Sequence, residues 1–148
     1  MGDDRVTRRQ IDNLTLAAAS FAARGAVFVV VGGCALRLHG CDNVPNDLDV
    51  VPEPSLANVR RLLDAIAALG SVGPAKRLSD HALTTGDIVT KTTPVGSVDA
   101  MLATGRKEYA ALERGATSII VRSHEVRVAA VDDVRRLRAH FGSPPAHV

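Results

Sequence analysis

Residues 29–52 read VVVGGCALRLHGCDNVPNDLDVVP, and the fold follows from how this stretch divides. It begins inside a continuous apolar run, Ala26 to Val31, rich in β-branched valine and halted by Gly32 and Gly33. A run this short between turn signals predicts a strand buried on both faces. A short helix from about Cys34 to His39 follows, closed by Gly40. Asp47 to Val51 then alternates acid with aliphatic and stops at Pro52 and Pro54, as a second strand beside the first would. Successive side chains on a strand point to opposite faces, so Asp47 and Asp49 share a face with Cα atoms roughly 6.5 Å apart. Leu48 and Val50 fill the core behind them.

Upstream, Ile11, Leu14, Ala18, Phe21 and Ala22 recur on one helical face within residues 6–24, and Gly25 ends that helix. Downstream, Ser55 is positioned to cap a helix reaching Leu69, with Leu56, Val59, Leu63 and Ile66 on its buried stripe and Gly70 after it. Strand signals are weak around Ala75 to Leu78 and Asp87 to Thr92, and firmer over Ser97 to Leu102, which carries Asp99. A short helix near Lys107 to Arg114, strands near Ser118 to Val121 and Glu125 to Ala129, and a helix from about Asp132 to Phe141 follow. This order implies the α+β class, sandwich-like: one mixed sheet with helices packed on it. At 148 residues the chain suits a single domain over 1–148, with 1–5 and 142–148 as loose tails.

The composition is 46% hydrophobic with no Trp, one Tyr and three Phe, so the core should be aliphatic. A net charge of +2, spread over short basic pairs, tolerates a polyanionic partner without demanding one. The absence of an 18-residue apolar run and of a signal-like N-terminus argues against a membrane and for the cytoplasm. Cys34, Cys41 and His39 lack the spacing of zinc ligands, which leaves two reduced thiols.

Two carboxylates on one strand face repel and raise one another's pKa unless a cation neutralises them. A divalent ion does so, and magnesium, with manganese as a substitute, binds through one or two carboxylates together with substrate phosphates. An isolated Asp-x-Asp is also common in turns and on solvated strands. Gly32 and Gly33 shift that balance, because glycine lets backbone approach a ligand closely and the following helix start offers N–H groups to an anion. Asp99, set among apolar residues in GSVDAML, is costly to bury alone and gains from a cation shared with Asp47 and Asp49. Two ions about 3.5–4 Å apart could hold a triphosphate, activate a hydroxyl and stabilise leaving pyrophosphate.

Lys91 is a candidate phosphate contact, although a lysine on a strand is more commonly solvated. Arg37 on the short helix can face phosphate or solvent. Arg135 and Arg138 share a helix face that can meet RNA or water. Asp80-His81 suits an acid-base pair or a polar turn, and Asp132 and Asp133 suit the start of a helix.

VVVGGCALRLHG, then DLDVVP, then SVDAM some fifty residues on, resembles the DNA polymerase β-like nucleotidyltransferase superfamily, in particular small bacterial members related to AbiEii/MenT-type toxins. The resemblance runs from about Ala26 to Phe141. It implies a nucleotidyltransferase fold, Gly32 and Gly33 against the triphosphate, and Asp47 and Asp49 as magnesium ligands joined by Asp99, which helps activate the acceptor. The implied reaction moves NMP from an NTP to a hydroxyl, with a tRNA end or a protein favoured over a small molecule and an antitoxin as partner. Asn43 and Pro45 stand where many relatives have Arg and Thr, Arg138 where a Lys is common, and Cys34 where wider relatives have a phosphate-contacting Ser. Two other readings remain open. One is a relative that binds nucleotide or protein without turnover; the other is a haloacid dehalogenase-type phosphatase, since DLDVV also fits its nucleophile pattern.

Overall fold

The structure is a computed structural model that describes residues 2–43, 45–70, 88–102 and 105–140. In chain order these form α1 (Gly2–Ala23), β1 (Phe28–Val31), α2 (Gly32–Leu38), β2 (Asp47–Pro52), α3 (Leu56–Ala68), β3 (Ile88–Thr93), β4 (Gly96–Met101), α4 (Gly105–Gly115), β5 (Thr117–Val121), β6 (His124–Val128) and α5 (Val131–His140). The strands make one six-stranded sheet in the order β3-β4-β2-β1-β6-β5. β1 runs antiparallel to β2 and parallel to β6, β2 runs parallel to β4, and β3–β4 and β5–β6 are antiparallel pairs. The expected mixed α+β sheet is therefore the observed one.

β1 is central because every one of its side chains is apolar and buried. Val29, Val31 and Val51 fill one sheet face, while Val30, Val50, Leu48, Val98 and Ala100 fill the other. α1 covers the second face, where Phe21 meets Phe28 edge-on at 6.0 Å between ring centroids. α4 covers the first, where the Glu113 carbonyl accepts a 2.8 Å bond from Arg127 of β6.

α3 starts where its cap predicts. The Asn58 N–H donates to the Ser55 hydroxyl at 3.2 Å, satisfying one of the free donors of the first turn. Asn58 itself is only 2% exposed. Its amide donates to the carbonyls of Val27 (2.8 Å) and Glu53 (2.9 Å) and accepts from the Val27 N–H (2.8 Å). One buried side chain thus ties α3 to the entrance of β1 and the exit of β2.

Several boundaries differ from the sequence expectation. α1 already runs at Gly2, so residues 2–5 are helical rather than a loose tail. Gly32 and Gly33 are the first turn of α2 instead of a loop ahead of it. Pro52 is the last residue of β2, not the residue after it; β4 pairs only with Asp47 to Val50, so the missing proline N–H interrupts no ladder on that side. The weak strand expected at Ala75 to Leu78, Asp80-His81, the expected helix end at Phe141 and the tail 142–148 lie outside the described residues.

Candidate active site

Asp47 and Asp49 lie on β2 and Asp99 on β4, and the parallel register sets Asp49 opposite Asp99 and Asp47 opposite Ser97. Directly opposed residues project to the same face, so three carboxylates and one hydroxyl occupy a single patch. Val31, the last residue of β1, is opposite Asp49 on the other side. The acids therefore begin where the apolar surface of β1 ends. Ser97 was missed in the sequence, although its spacing of two from Asp99 was the available signal.

The glycine turn abuts this patch. Gly32 has φ +69°, a conformation that side-chain-bearing residues seldom adopt, and a Cβ placed there would sit 2.1 Å from Asp49 Oδ2. The Asp49 carboxylate thus occupies the space that glycine leaves. Next along, a Cβ on Gly33 would be 3.3 Å from Asn43 Nδ2, which donates a 2.9 Å bond to the Gly33 carbonyl. Val31, the residue before α2, has no side-chain oxygen to offer the first-turn N–H groups.

Electrostatics reflect the crowding. Desolvation and, after it, the charge of Asp99 push the Asp47 carboxyl above its ordinary value. Burial, helped by Asp49, pushes the Cys34 thiol up to about 12, so it stays protonated. One carboxylate oxygen of Asp99, Oδ1, is buried without a hydrogen-bond partner, and so is Asn43 Oδ1. Buried acceptors left unmatched are costly, and their place at this patch suits a ligand that brings a cation or donors.

The other candidates are placed less directly. Cys34 is fully buried, side chain and backbone alike, so the structure does not present it to a phosphate. Arg37 donates to the Cys41 carbonyl at 3.2 Å and lies 3.5 Å from the Asp42 carboxylate, holding the end of α2 to the loop that follows. Lys91 takes the register position of Val98, whereas Thr90 is the residue opposite Asp99. His39 donates from Nε2 to the Ala129 carbonyl at 2.7 Å and so has a structural partner instead of a metal trio with the cysteines. Arg135 is exposed. A cleft of about 300 Å³ lined by Phe28, Tyr109, Glu113 and Arg127 opens at the opposite end of β1 from the acids.

For a metal ion the donor chemistry fits: the patch offers oxygen donors, three carboxylates and the Ser97 hydroxyl, and one carboxylate oxygen lacks a partner. Their arrangement is not yet a finished cage. Among the described residues no three His, Cys, Asp or Glu side chains are gathered closely enough to hold an ion as they stand. Neighbouring strands are only about 4.8 Å apart, so side-chain rotation is the motion that convergence requires. The phosphatase reading fails on placement, because its nucleophile needs the end of a hydrophobic strand and Asp47 is the exposed first residue of β2.

The chain has the nucleotidyltransferase-type fold, a mixed sheet with helices packed on it. The crystal structure of a candidate nucleotidyltransferase from Thermotoga maritima matches with a TM-score of 0.58 at 13% identity, over 93% of this chain and 83% of that one. Two Helicobacter pylori structures, another candidate nucleotidyltransferase and the protein JHP933, match at TM-scores of 0.49 and 0.46 with 16% and 17% identity. They cover 86% and 84% of this chain but 56% and 53% of their own, so this chain spans about half their length. No protein-family profile and no curated protein matches the sequence. Among the described residues, no helix is long and apolar enough to cross a membrane.

Proposed function

We propose that the protein is a magnesium-dependent nucleotidyltransferase that moves NMP from an NTP to a hydroxyl acceptor. The observation that carries this reading is the register of β2 against β4, which brings Asp99 beside Asp49 next to the glycine turn. Asp47, Asp49 and Asp99 are the residues that would hold magnesium. Bound there, it would neutralise the triphosphate and ease ionisation of the acceptor hydroxyl. On this reading Gly32 and Gly33 form the phosphate side of the site, and the Asp49 carboxylate that fills the space at Gly32 would turn toward the metal to admit phosphate to the backbone. The acceptor oxygen bonds to the α-phosphorus, the bond to the β-phosphate oxygen breaks, and pyrophosphate leaves with that electron pair. Asp99, whose Oδ1 has no hydrogen-bond partner, would take the hydroxyl proton.

An RNA 3′ end or a protein hydroxyl suits this chemistry, and a cytoplasmic toxin paired with an antitoxin is the biological setting that the resemblance to AbiEii/MenT-type proteins supports. A second reading, nucleotide binding without turnover, is favoured by one observation: the carboxylates are not drawn together as a ligand set. Incubation with each α-labelled NTP and magnesium, alongside total RNA, a protein extract or neither, separates the two. Label transferred by the wild type and not by Asp49→Ala supports the enzyme and identifies its acceptor. Magnesium-dependent NTP binding without transfer to any acceptor supports the binder.

A further inference from the structure

We infer that Asn43 binds the nucleoside portion of the nucleotide by accepting a hydrogen bond at Oδ1, an inference that rests on the nucleotidyltransferase reading. The orientation of its amide is fixed by its bond to Gly33. Nδ2 donates to that carbonyl at 2.9 Å, and the reversed amide would set oxygen against oxygen. Oδ1 is therefore an acceptor, and it is buried with no hydrogen-bond partner. The residue as a whole is half-buried, and Oδ1 itself is shielded from solvent, so a nucleotide that bonds to it must first displace the side chains covering it.

Its location links it to the acids. Asn43 and Asp49 each fill the space beside one of two consecutive glycines, Asn43 against Gly33 and Asp49 against Gly32, and consecutive Cα atoms are about 3.8 Å apart. A nucleotide brought to the glycine turn therefore passes Asn43. Its phosphates carry oxygen acceptors, which a bare amide oxygen repels. Its ribose hydroxyls and base N–H groups are the donors that Oδ1 lacks. Asn43 thus both fixes the glycine turn through Nδ2 and reads a donor of the nucleoside through Oδ1.

The test is titration calorimetry with magnesium, using wild type and Asn43→Ala against the four NTPs and the 2′-deoxy and 3′-deoxy forms of the tightest binder. Asn43→Ala should weaken a donor-bearing nucleotide by about 5- to 30-fold. That loss should vanish for the one analogue or base lacking the donor, because both changes delete the same bond; the analogue identifies ribose or base as its source. A loss equal for every nucleotide would mean that Asn43 acts only through Gly33, and would overturn the inference while leaving the proposed function standing. No NTP binding by folded wild type would overturn both. If Asn43→Ala does not fold, the same pattern is read with Asn43→Ser.

Discussion

Alanine at Gly32 and alanine at Gly33 differ by one residue in sequence and should differ greatly in consequence. At Gly32 the new Cβ meets Asp49 Oδ2 at 2.1 Å, Cγ at 2.9 Å and Cβ at 3.0 Å. The carboxylate can swing away, but the Asp49 Cβ moves only with β2, and such overpacking costs about 1–3 kcal/mol. The left-handed backbone at φ +69° adds about 1–2 kcal/mol for a residue with a side chain. Gly32→Ala should therefore lose about 2–5 kcal/mol, a midpoint shift of roughly 1–2 M in urea. At Gly33 the Cβ meets Asn43 Nδ2 at 3.3 Å and Pro45 Cβ at 3.7 Å, which small adjustments absorb. Helix propensity returns about 0.5–1 kcal/mol at that position, so Gly33→Ala should stay within about 1 kcal/mol of wild type. Urea unfolding of both variants, followed by circular dichroism, measures the contrast. Removing the Asp49 carboxylate as well, in Gly32→Ala/Asp49→Ala, should shrink the Gly32 penalty. Equal midpoints for the two single variants would refute the close approach of Asp49 to the turn.

Asp47→Asn should abolish transfer yet leave the metal-free fold as stable as wild type or more so. The Asp47 carboxyl is raised above 3.8, so its ionised form opposes folding. Wild-type stability should accordingly gain from this group as pH falls through the raised value and lose it as pH rises, and thermal melts from acid to neutral pH should show a smaller slope in the variant. Asn58→Ala leaves the Val27 N–H and the Glu53 carbonyl without their side-chain partner, while the Val27 carbonyl keeps the Glu53 N–H, and should cost about 2–4 kcal/mol in urea unfolding with no direct effect on nucleotide binding. Cys34, fully buried with a thiol raised to about 12, should resist a thiol-specific reagent in the native protein, and denaturation should release one further reactive thiol beyond Cys41.

The local parts of this site were legible because local rules produce them. β-branched residues and period-two alternation marked β1 and β2, and Ser55 capped α3 as a serine before an apolar stripe should. What no local rule contains is the pairing of β2 with β4 across some fifty residues, which decides that Asp99 is opposite Asp49. The cost of burying Asp99 alone suggested that proximity, and the family resemblance implied it; periodicity did not. The glycines were expected to admit a ligand to the backbone, and the group that the structure brings against Gly32 is a carboxylate of the site itself. Asn43 stood out only as a departure from relatives, since a loop asparagine carries no pattern that distinguishes a satisfied amide from a half-satisfied one. Asn58 was hidden for a related reason: a polar residue within a helix is ordinarily solvated, and its three backbone partners come from Val27 and Glu53, which flank two strands far apart in sequence.

The most direct test of the account is where each phosphate of the NTP goes. With magnesium and the acceptor fraction, label from the α-phosphate should become covalently attached to the acceptor, while label from the γ-phosphate should appear in free pyrophosphate. Asp99→Asn should suppress both. Transfer of the γ-label to the acceptor would contradict the account, because it would make the reaction phosphoryl transfer instead of nucleotidyl transfer.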